Sequence, residues 1–181
     1  MGDLSHTTTM IACVGPTSSG KSTLLKRLQQ QDRGESGTAP MPSPVPTVGV
    51  NVVEVRAGRE TFRIREIGGA MAALWAGQCS DASGVIYVID SGNPQQYSPA
   101  LVHLLKLLNL ESLQQVPFLL VFNKTDVYSC ISLEEYKEAF RLDDIILEAG
   151  QVIRVVDSSM LTGHGVEEVL EWIKNVEGHR K

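Results

Sequence analysis

The stretch "GPTSSGKS", residues 15–22, decides how the rest of the sequence is interpreted. It follows the apolar run "MIACVG" (10–15) and leads into "KSTLLKRLQQQ" (21–31), whose apolar residues have helical spacing. Glycines let a loop backbone curl so that its N–H groups face inward onto an anion, and a helix N-terminus adds a partial positive charge. A strand, this loop and a helix in succession therefore predict a phosphate-binding site.

Two side chains of this loop have specific predicted tasks. Lys21 is placed to neutralise the β- and γ-phosphates of a nucleotide, and Ser22 can offer its hydroxyl to Mg²⁺. The alternative is a chance match to the motif in an ordinary strand–turn–helix. The loop by itself separates neither GTP from ATP nor a switch from a kinase. The loop residues expected to contact the nucleotide are Gly15, Ser18, Ser19, Gly20, Lys21, Ser22 and Thr23.

Apolar runs elsewhere in the sequence predict a buried sheet. Four runs are almost continuously apolar, as in parallel strands that are covered on both faces, and two others alternate apolar with polar residues. The two alternating segments are separated by residues 57–60, which fit a hairpin turn. The continuous runs are 10–15, 84–90, 117–123 and 151–157, and the alternating ones are 48–56 and 61–67.

Helical patterns fill the gaps between these strands. Segment 98–113 has Ser98 as its expected N-cap, and segment 132–140 has Ser132 and Glu135 in a capping-box pattern. The other two helical segments are 21–31 and 165–176. We therefore expect an α/β, doubly wound fold, with a six-stranded, mostly parallel sheet, one antiparallel edge strand and helices on both faces.

The length of 181 residues suits one domain. We expect residues 10–177 to form it, residues 1–9 to be a flexible N-terminus and residues 178–181 to be a tail. Residues 32–46, "DRGESGTAPMPSPVP", are rich in Gly, Ser and Pro and predict a mobile loop that leads into the next strand. A ligand for a proline-recognition module is the alternative for this segment.

The composition narrows the classes of partner. A net charge of −5 disfavours broad binding to nucleic acid, and no apolar run approaches the roughly 18 residues of a transmembrane helix.

The N-terminus half resembles a myristoylation signal but has His6 where the hydroxyl residue belongs, so acylation of Gly2 stays open. The cysteines have no paired spacing, which argues against disulfides or a zinc site, and free thiols suit the cytosol. They are Cys13, Cys79 and Cys130.

A second motif, "NKTD" (123–126), follows one of the apolar strands. The carboxylate of Asp126 can accept hydrogen bonds from the N1–H and the exocyclic amine of guanine, a donor pair that adenine lacks on that edge. Lys124 can lay its aliphatic stem along the base, and Asn123 can tie this loop to the phosphate loop. The motif therefore predicts that the bound nucleotide is a guanine nucleotide.

The segment "SSM" (158–160) follows the last predicted strand and by its position offers a third contact to the base. The usual form of this contact is a backbone N–H that points toward guanine O6. Ser159 can make it without a special side chain, with Ser158 beside it. By itself the segment is equally compatible with an ordinary strand-to-helix loop.

Together these motifs resemble the small GTPases, and within them the ADP-ribosylation-factor-like family. "PTVGVNVVEV" (46–55) is similar to switch I and the interswitch strand of that family, and "GGAMAALW" (68–75) is similar to its switch II. "GVIYVIDSGNPQQY" (84–97) resembles its fourth strand, and "LTGHGVEEVLEWI" (161–173) resembles its last helix. The resemblance extends over residues 10–177 and implies the P-loop small-GTPase fold.

The resemblance implies a switch that is controlled by Mg²⁺ and by GTP or GDP, in which both switch loops relax when the γ-phosphate leaves. Thr47 would close onto Mg²⁺ and the γ-phosphate, Gly69 would offer its N–H to that phosphate, and Glu66 would hold Mg²⁺ through water. The expected metal-site residues are therefore Ser22, Thr47 and Glu66. Trp75 would either belong to an effector surface or pack beneath switch II.

Three sites depart from the family pattern. Ala70 replaces the glutamine that would orient the attacking water, a loss that can lower the rate on the order of a hundredfold. Gln78 or a partner protein is the alternative source of that group, and no catalytic residue is assigned. Glu66 is one methylene longer than the usual aspartate. Thr17 and Ser18 occupy the middle of the phosphate loop, where a side chain could crowd an arginine finger.

The function implied is that of a monomeric, cytoplasmic switch in membrane traffic or ciliary protein transport, with slow or partner-dependent hydrolysis of GTP. Effector proteins would bind switch I, the interswitch and switch II in the GTP state, and an exchange factor and a GTPase-activating protein would regulate the cycle. Residues 1–9 have no apolar face, so direct membrane anchoring is not expected. A constitutively nucleotide-bound scaffold and a P-loop nucleotide kinase stay open as alternatives.

Overall fold

The computed structural model describes residues 9–32, 47–58 and 60–176, and within them a six-stranded sheet forms the centre. The order of the strands across the sheet is β2-β3-β1-β4-β5-β6, and β2 pairs antiparallel with β3 while the other pairs are parallel. This arrangement confirms the predicted sheet and its antiparallel edge strand. The strands β1 to β6 are Met10–Val14, Val50–Ala57, Glu60–Ile67, Gly84–Asp90, Phe118–Asn123 and Ile153–Asp157.

The described residues also form six α-helices and three short 3-10 turns. The helices α1 to α6 are Lys21–Asp32, Trp75–Cys79, Tyr97–Leu108, Leu133–Ala139, Leu142–Glu148 and Val166–Lys174. The 3-10 turns are Gly69–Leu74, Pro94–Gln96 and Glu111–Leu113. In this part of the chain, no helix has both the length and the apolar character needed to cross a membrane.

Helices cover both faces of the sheet, as predicted. Leu28 of α1 and Trp172 of α6 are fully buried on one face, where they belong to a single apolar cluster. Leu104 of α3 and Tyr136 of α4 are fully buried in a second cluster on the opposite face. Every residue of β4 and β5 is buried between these layers, which explains why their sequences are almost continuously apolar.

The parallel strands bring the functional loops to one edge of the sheet. Cys13 at the end of β1 pairs with Glu66 near the end of β3, and Asp90 at the end of β4 pairs with Asn123 at the end of β5. Ligands of open α/β sheets bind outside the carboxyl ends of the strands. The loops that follow these strands therefore define the region in which a ligand is expected.

The start of α3 differs from the prediction. Ser98 is not the N-cap, because α3 begins at Tyr97 and directly continues the 3-10 turn Pro94–Gln96. The side chain of Asn93 caps that turn by accepting the N–H of Gln95, at 3.1 Å. An asparagine followed by proline therefore starts the helical segment several residues before the Ser-Pro pair that suggested the prediction.

Other helix boundaries also refine the predictions. Helix α3 ends at Leu108 instead of continuing to residue 113, and a 3-10 turn occupies part of the remainder. The capping box of α4 is confirmed, since Ser132 and Glu135 exchange hydrogen bonds of 2.7 and 3.1 Å. Helix α5 was not predicted and follows Arg141, whose φ of 52° ends α4 with a left-handed turn.

Several predictions concern residues 1–8, 33–46 and 177–181, which lie outside the described residues. They are the flexible N-terminus, the acylation of Gly2, the mobile proline-rich loop and the C-terminal tail. Asp32, which was expected to begin the loop, is instead the last residue of α1. The limits of the single domain stay a prediction.

Candidate nucleotide-binding site

The loop between β1 and α1 has the backbone shape of an anion cradle. Gly15, Ser18 and Gly20 have φ values of 145°, 64° and 99°, which turn the chain sharply before α1 begins. Glycine is required at position 20, because a Cβ there would lie 2.1 Å from Nδ2 of Asn123. That Nδ2 donates to the carbonyl of Ser19 at 2.8 Å, so Asn123 ties the base-reading loop to the phosphate loop as the sequence predicts.

Lys21 lies inside this cradle with 5% of its surface exposed. Its Nζ donates to the carbonyls of Gly15 at 2.9 Å and Pro16 at 2.8 Å. Burial lowers the pKa of its ammonium group, because the two carbonyl dipoles compensate the charge less well than water does. A phosphate in the cradle would supply the opposite charge that the buried ammonium lacks.

Three oxygen-bearing side chains from separate segments meet beside the cradle. Oγ of Ser22 and Oγ1 of Thr47 lie 3.0 Å apart, and both hydroxyls donate to Oε1 of Glu66, Thr47 at 2.9 Å. Glu66 is 2% exposed. Hydroxyl and carboxylate oxygens are the ligands that Mg²⁺ takes in proteins, so this donor set fits a magnesium ion. The described ranges contain no group of three or more His, Cys, Asp or Glu side chains in a metal-binding arrangement, so the hydroxyl groups of this cluster are an essential part of the donor set.

The segment after β3 packs its backbone directly onto the phosphate loop. A Cβ on Gly69 would lie 2.2 Å from the backbone nitrogen of Thr17, so only glycine allows this approach. Ala70 follows and lines the cavity with its methyl group. Gln78, the alternative source of a side-chain amide, is on α2 and does not line the cavity. Its backbone carbonyl accepts a hydrogen bond from Nη1 of Arg65 at 2.7 Å. The structure therefore does not support Gln78 as a replacement for the missing glutamine.

Trp75 is a core residue. It is 1% exposed and packs edge-to-face on Tyr87 and His103, with ring centroids at 6.0 and 5.3 Å. Its indole N–H donates to the carbonyl of Gly68 at 3.3 Å. Of the two alternatives for this residue, packing beneath switch II is therefore correct, and an exposed effector contact is wrong.

A cavity of about 260 Å³ lies between these segments. Asp126 is outside it and lines a separate depression, and Ser19 is a fully buried residue of the phosphate loop. The predicted site residues that line the cavity are Ser18, Gly20, Lys21, Ser22, Thr23, Thr47, Glu66, Gly69 and Lys124. Those that are not part of its lining are Gly15, Ser19, Asn123, Asp126, Ser158 and Ser159.

The two predicted base-contacting loops are joined by side-chain hydrogen bonds. Ser158 donates its hydroxyl to Oδ1 of Asn123 at 3.3 Å, and Ser159 donates its hydroxyl to Oδ1 of Asp126. The backbone N–H of Ser159, expected to face guanine O6, donates to the carbonyl of His164 at 3.0 Å. The contact from this N–H to the base stays a prediction, and the structure assigns the Ser159 hydroxyl a partner that the sequence did not indicate.

A family model described as "ADP-ribosylation factor family" matches residues 3–176. The chain belongs to this family. With its fold and motifs, family membership makes it a GTP-binding protein of the small-GTPase class, and it counts against the nucleotide-kinase alternative.

Curated relatives of this family member cover most of its length. ADP-ribosylation factor-like protein 16 of Homo sapiens is 38% identical over 91% of this chain and 84% of that protein. ADP-ribosylation factor-related protein 1 of Rattus norvegicus is 31% identical over 90% of this chain and 82% of that protein. The stretch from Glu66 to Ala70, which lacks the usual glutamine, predicts a likeness to the first of these relatives, and the match confirms it.

A solved structure supports the fold. The Arl6 BBS3 small GTPase from Trypanosoma brucei, with the bound nucleotide analogue GppNp, superposes with a TM-score of 0.79. The alignment covers 97% of this chain and 100% of that chain, at 23% sequence identity. At this identity the likeness establishes the small-GTPase fold of the family member described here.

Two charged residues of this family member have structural roles that were not predicted from the sequence. Asp90 bonds Nζ of Lys124 at 2.7 Å and also accepts the N–H of Gly92 at 3.0 Å. Arg27 of α1 is almost fully buried and donates from Nε to the carbonyl of Met160 at 2.7 Å. The position of Asp90 at the end of the apolar run 84–90 was a usable signal, because parallel neighbours end at the same edge. The sequence contains no comparable signal for Arg27.

Proposed function

We propose that this protein is a Mg²⁺-dependent switch that cycles between GTP and GDP and binds effector proteins in the GTP state. The observation that best supports this proposal is the hydrogen-bonded cluster of Ser22, Thr47 and Glu66. It joins the phosphate loop, switch I and β3 through side-chain oxygens, so a ligand bound among these atoms acts on all three segments. Loss of the γ-phosphate would remove the anchor of switch I and let it relax.

The proposed metal site follows from the same donor set. Ser22 and Thr47 would bind Mg²⁺ through their hydroxyl oxygens, and Glu66 would hold it through water. When bound, the ion would neutralise charge on the phosphate oxygens. The longer side chain of Glu66, compared with aspartate, suits this arrangement because its carboxylate already reaches both hydroxyls.

Selection of guanine is proposed for Asp126. Its carboxylate can accept the N1–H and the 2-amino group of guanine, whereas adenine presents no such donor pair. Lys124 lines the cavity, and its salt bridge to Asp90 fixes the ammonium group so that the stem is held at the cavity wall. The phosphates would occupy the cradle at Lys21, with the base between Lys124 and Asp126.

Slow intrinsic hydrolysis is proposed from the side chains around the cavity. Ala70 presents a methyl group, which cannot form a hydrogen bond to the attacking water. Among the described residues that line the cavity, none carries a side-chain amide. We therefore propose that a partner protein supplies the water-orienting group. The same observation favours a second candidate, a scaffold that stays bound to its nucleotide without a cycle.

Effector binding is proposed for the edge of the sheet next to switch I. Val48 is 98% exposed, and Val50 and Val52 are exposed on the same alternating side of the edge strand β2. Leu74 adds an exposed apolar side chain from the segment after β3. An edge strand also offers unpaired backbone groups to an incoming strand. We propose that the cytoplasmic monomer acts here on effectors of membrane traffic or ciliary protein transport.

Calorimetry in the presence of Mg²⁺ tests the proposal. GDP and GTPγS are expected to bind and ADP is not, and Asp126→Ala should weaken GDP binding by about a hundredfold or more, since two charge-assisted hydrogen bonds are lost. Asp143→Ala removes the same group from the exposed face of α5 and is the matched control. Equal binding of GDP and ADP, or an effect of Asp126→Ala no larger than that of the control, would contradict the proposal.

A further inference from the structure

We propose that Gln96 is a positioning residue for the phosphate loop. Its side-chain amide holds the peptide between Thr17 and Ser18 so that the Ser18 N–H faces the terminal phosphates of the nucleotide. The inference rests on the proposed function, because it assumes that the loop binds a nucleotide. The observation behind it is a hydrogen bond of 3.1 Å from Nε2 of Gln96 to the carbonyl of Thr17.

The other carbonyls of this loop that have side-chain partners show how the loop keeps its shape. Nζ of Lys21 donates to the carbonyls of Gly15 at 2.9 Å and Pro16 at 2.8 Å. Nδ2 of Asn123 donates to the carbonyl of Ser19 at 2.8 Å. A carbonyl that is held in this way fixes the orientation of its whole peptide, because the peptide unit is planar.

The bond from Gln96 determines where the Ser18 N–H points. In a trans peptide, the carbonyl and the N–H of the next residue point in opposite directions. The carbonyl of Thr17 is directed to Gln96, which does not line the cavity, whereas Thr17 and Ser18 do. The Ser18 N–H therefore points to the cavity side, where it can donate to a phosphate oxygen.

Ser18 needs such a hold because its backbone is strained. Its φ of 64° lies in the left-handed region, which is unfavourable for a residue with a Cβ. A rotation of the peptide before Ser18 would change this angle and turn the N–H away from the cavity. The bond from Gln96 opposes that rotation before the nucleotide arrives, so less order has to be imposed when it binds.

Switch II packs on the same part of the loop. A Cβ on Gly69 would lie 2.2 Å from the backbone nitrogen of Thr17, and Gly69 lines the cavity together with Thr17 and Ser18. In the proposed cycle, the switches sense the terminal phosphate. The Ser18 N–H should therefore serve the β- and γ-phosphates, and the α-phosphate should not depend on it.

The chemistry of the two groups fixes which end of the Gln96 amide faces the loop. A carbonyl can only accept a hydrogen bond, so the amino end must face Thr17. The other end, Oε1, is buried and has no hydrogen-bond partner among the residues that the structure describes. An apolar side chain of similar length would therefore remove one donated hydrogen bond and no accepted one.

The experiment compares the affinities of GDP and GMP, which share the base, the sugar and the α-phosphate. Gln96→Met should lower GDP affinity by about tenfold, because a hydrogen bond to a charged phosphate is misdirected. It should change GMP affinity by less than about twofold, so the preference for GDP over GMP falls about fivefold or more. Competition against a fluorescent GDP analogue in Mg²⁺ measures both affinities.

Gln95→Met makes the same chemical change one position earlier in the 3-10 turn and is the matched control. Gln95 is exposed, and its backbone N–H keeps its bond to Asn93, so both affinities should stay unchanged. Gln96→Asn keeps the amide but is one methylene shorter, and it should lower the ratio as Gln96→Met does. It also provides the test if Gln96→Met fails to fold, and an unchanged ratio for Gln96→Asn would then overturn the inference.

The outcomes separate the inference from the proposed function. If the unchanged protein does not bind GDP, the proposed function fails. If it prefers GDP over GMP but Gln96→Met keeps the same ratio, loses both ligands by one common factor or matches Gln95→Met, the role of Gln96 is overturned while nucleotide binding stands. A reduced ratio in Gln96→Met, with no such change in Gln95→Met, supports the inference.

Discussion

The hydroxyl oxygens of Ser22 and Thr47 lie 3.0 Å apart although 25 positions separate the two residues in the chain. Both hydroxyls donate to the same oxygen of Glu66. Helix α1, the segment before β2 and strand β3 therefore share one buried carboxylate. A change in the charge of Glu66 should therefore alter the hydrogen bonds of the phosphate loop and of switch I together.

Glu66→Gln should weaken Mg²⁺ binding by about tenfold or more, because residues that hold a metal through an intermediate ligand contribute on this scale. The amide keeps the shape of the side chain but loses its negative charge. Release of a fluorescent GDP analogue, followed as the Mg²⁺ concentration is lowered, should speed up at a higher concentration than in the unchanged protein.

Glu60→Gln makes the same chemical change at the opposite end of β3 and is the control for this prediction. Its release curve should coincide with that of the unchanged protein. Identical curves for Glu66→Gln and Glu60→Gln would show that Glu66 has no part in holding the metal.

The sequence predicts the contacts that depend on backbone topology better than those that depend on side-chain packing. The link between Asn123 and the phosphate loop follows from two parallel strands that end at one edge. The burial of Trp75 does not, because it depends on Tyr87 and His103, which local patterns do not bring together. The bond between Ser159 and Asp126 was missed for the same reason, since it requires the relative position of two loops.

Gly69→Ala should lower the affinity for GTPγS by about tenfold relative to GDP, because overpacking of this size costs roughly 1–3 kcal/mol. The new Cβ would lie 2.2 Å from the nitrogen of Thr17, so switch II would have to move away from the γ-phosphate side of the cradle. GDP lacks that phosphate and should lose little affinity. The ratio of the two dissociation constants is the measurement.

Gly77→Ala is the control for Gly69→Ala, since a Cβ on Gly77 meets no heavy atom within 4 Å. It should leave the GTPγS-to-GDP ratio unchanged and stabilise α2 by about 1 kcal/mol or less. If Gly69→Ala preserves the ratio as Gly77→Ala does, the close approach of switch II is not needed for sensing the γ-phosphate.

Alkylation at neutral pH should modify Cys130 alone in the native protein. Cys130 is exposed, whereas Cys13 and Cys79 are buried. Burial raises the pKa of the Cys13 thiol far above its ordinary value and raises the pKa of Cys79 to about 12, so neither forms the reactive thiolate. Mass spectrometry should detect one modified residue before denaturation and three after it, and none in native Cys130→Ser. Early modification of Cys13 would contradict this packing.

The raised pKa values also give the direction of the alkaline stability change. Both folded-state thiols have pKa values above the ordinary 9.0, so the stabilisation from keeping them neutral is present below that value and is lost as the pH rises. The urea concentration at the midpoint of unfolding should therefore decrease as the pH is raised from about 8 to about 10. Cys79→Ala removes one ionisable thiol and should show a smaller fall, while an equal fall would show that Cys79 does not contribute.

Ala70→Gln should accelerate single-turnover hydrolysis of GTP by roughly tenfold or more, because one well-placed water-orienting group can contribute on this scale. Ala70 lines the cavity, lies next to Gly69 and is exposed, so the longer side chain has room to reach the γ-phosphate side. Ala73→Gln places the same side chain three residues later in the same 3-10 turn, outside the cavity lining, and should leave the rate unchanged. An equal rate for both variants and the unchanged protein would show that the loss of glutamine is not what limits hydrolysis. Thr17 and Ser18 in the phosphate loop would then be the next residues to substitute.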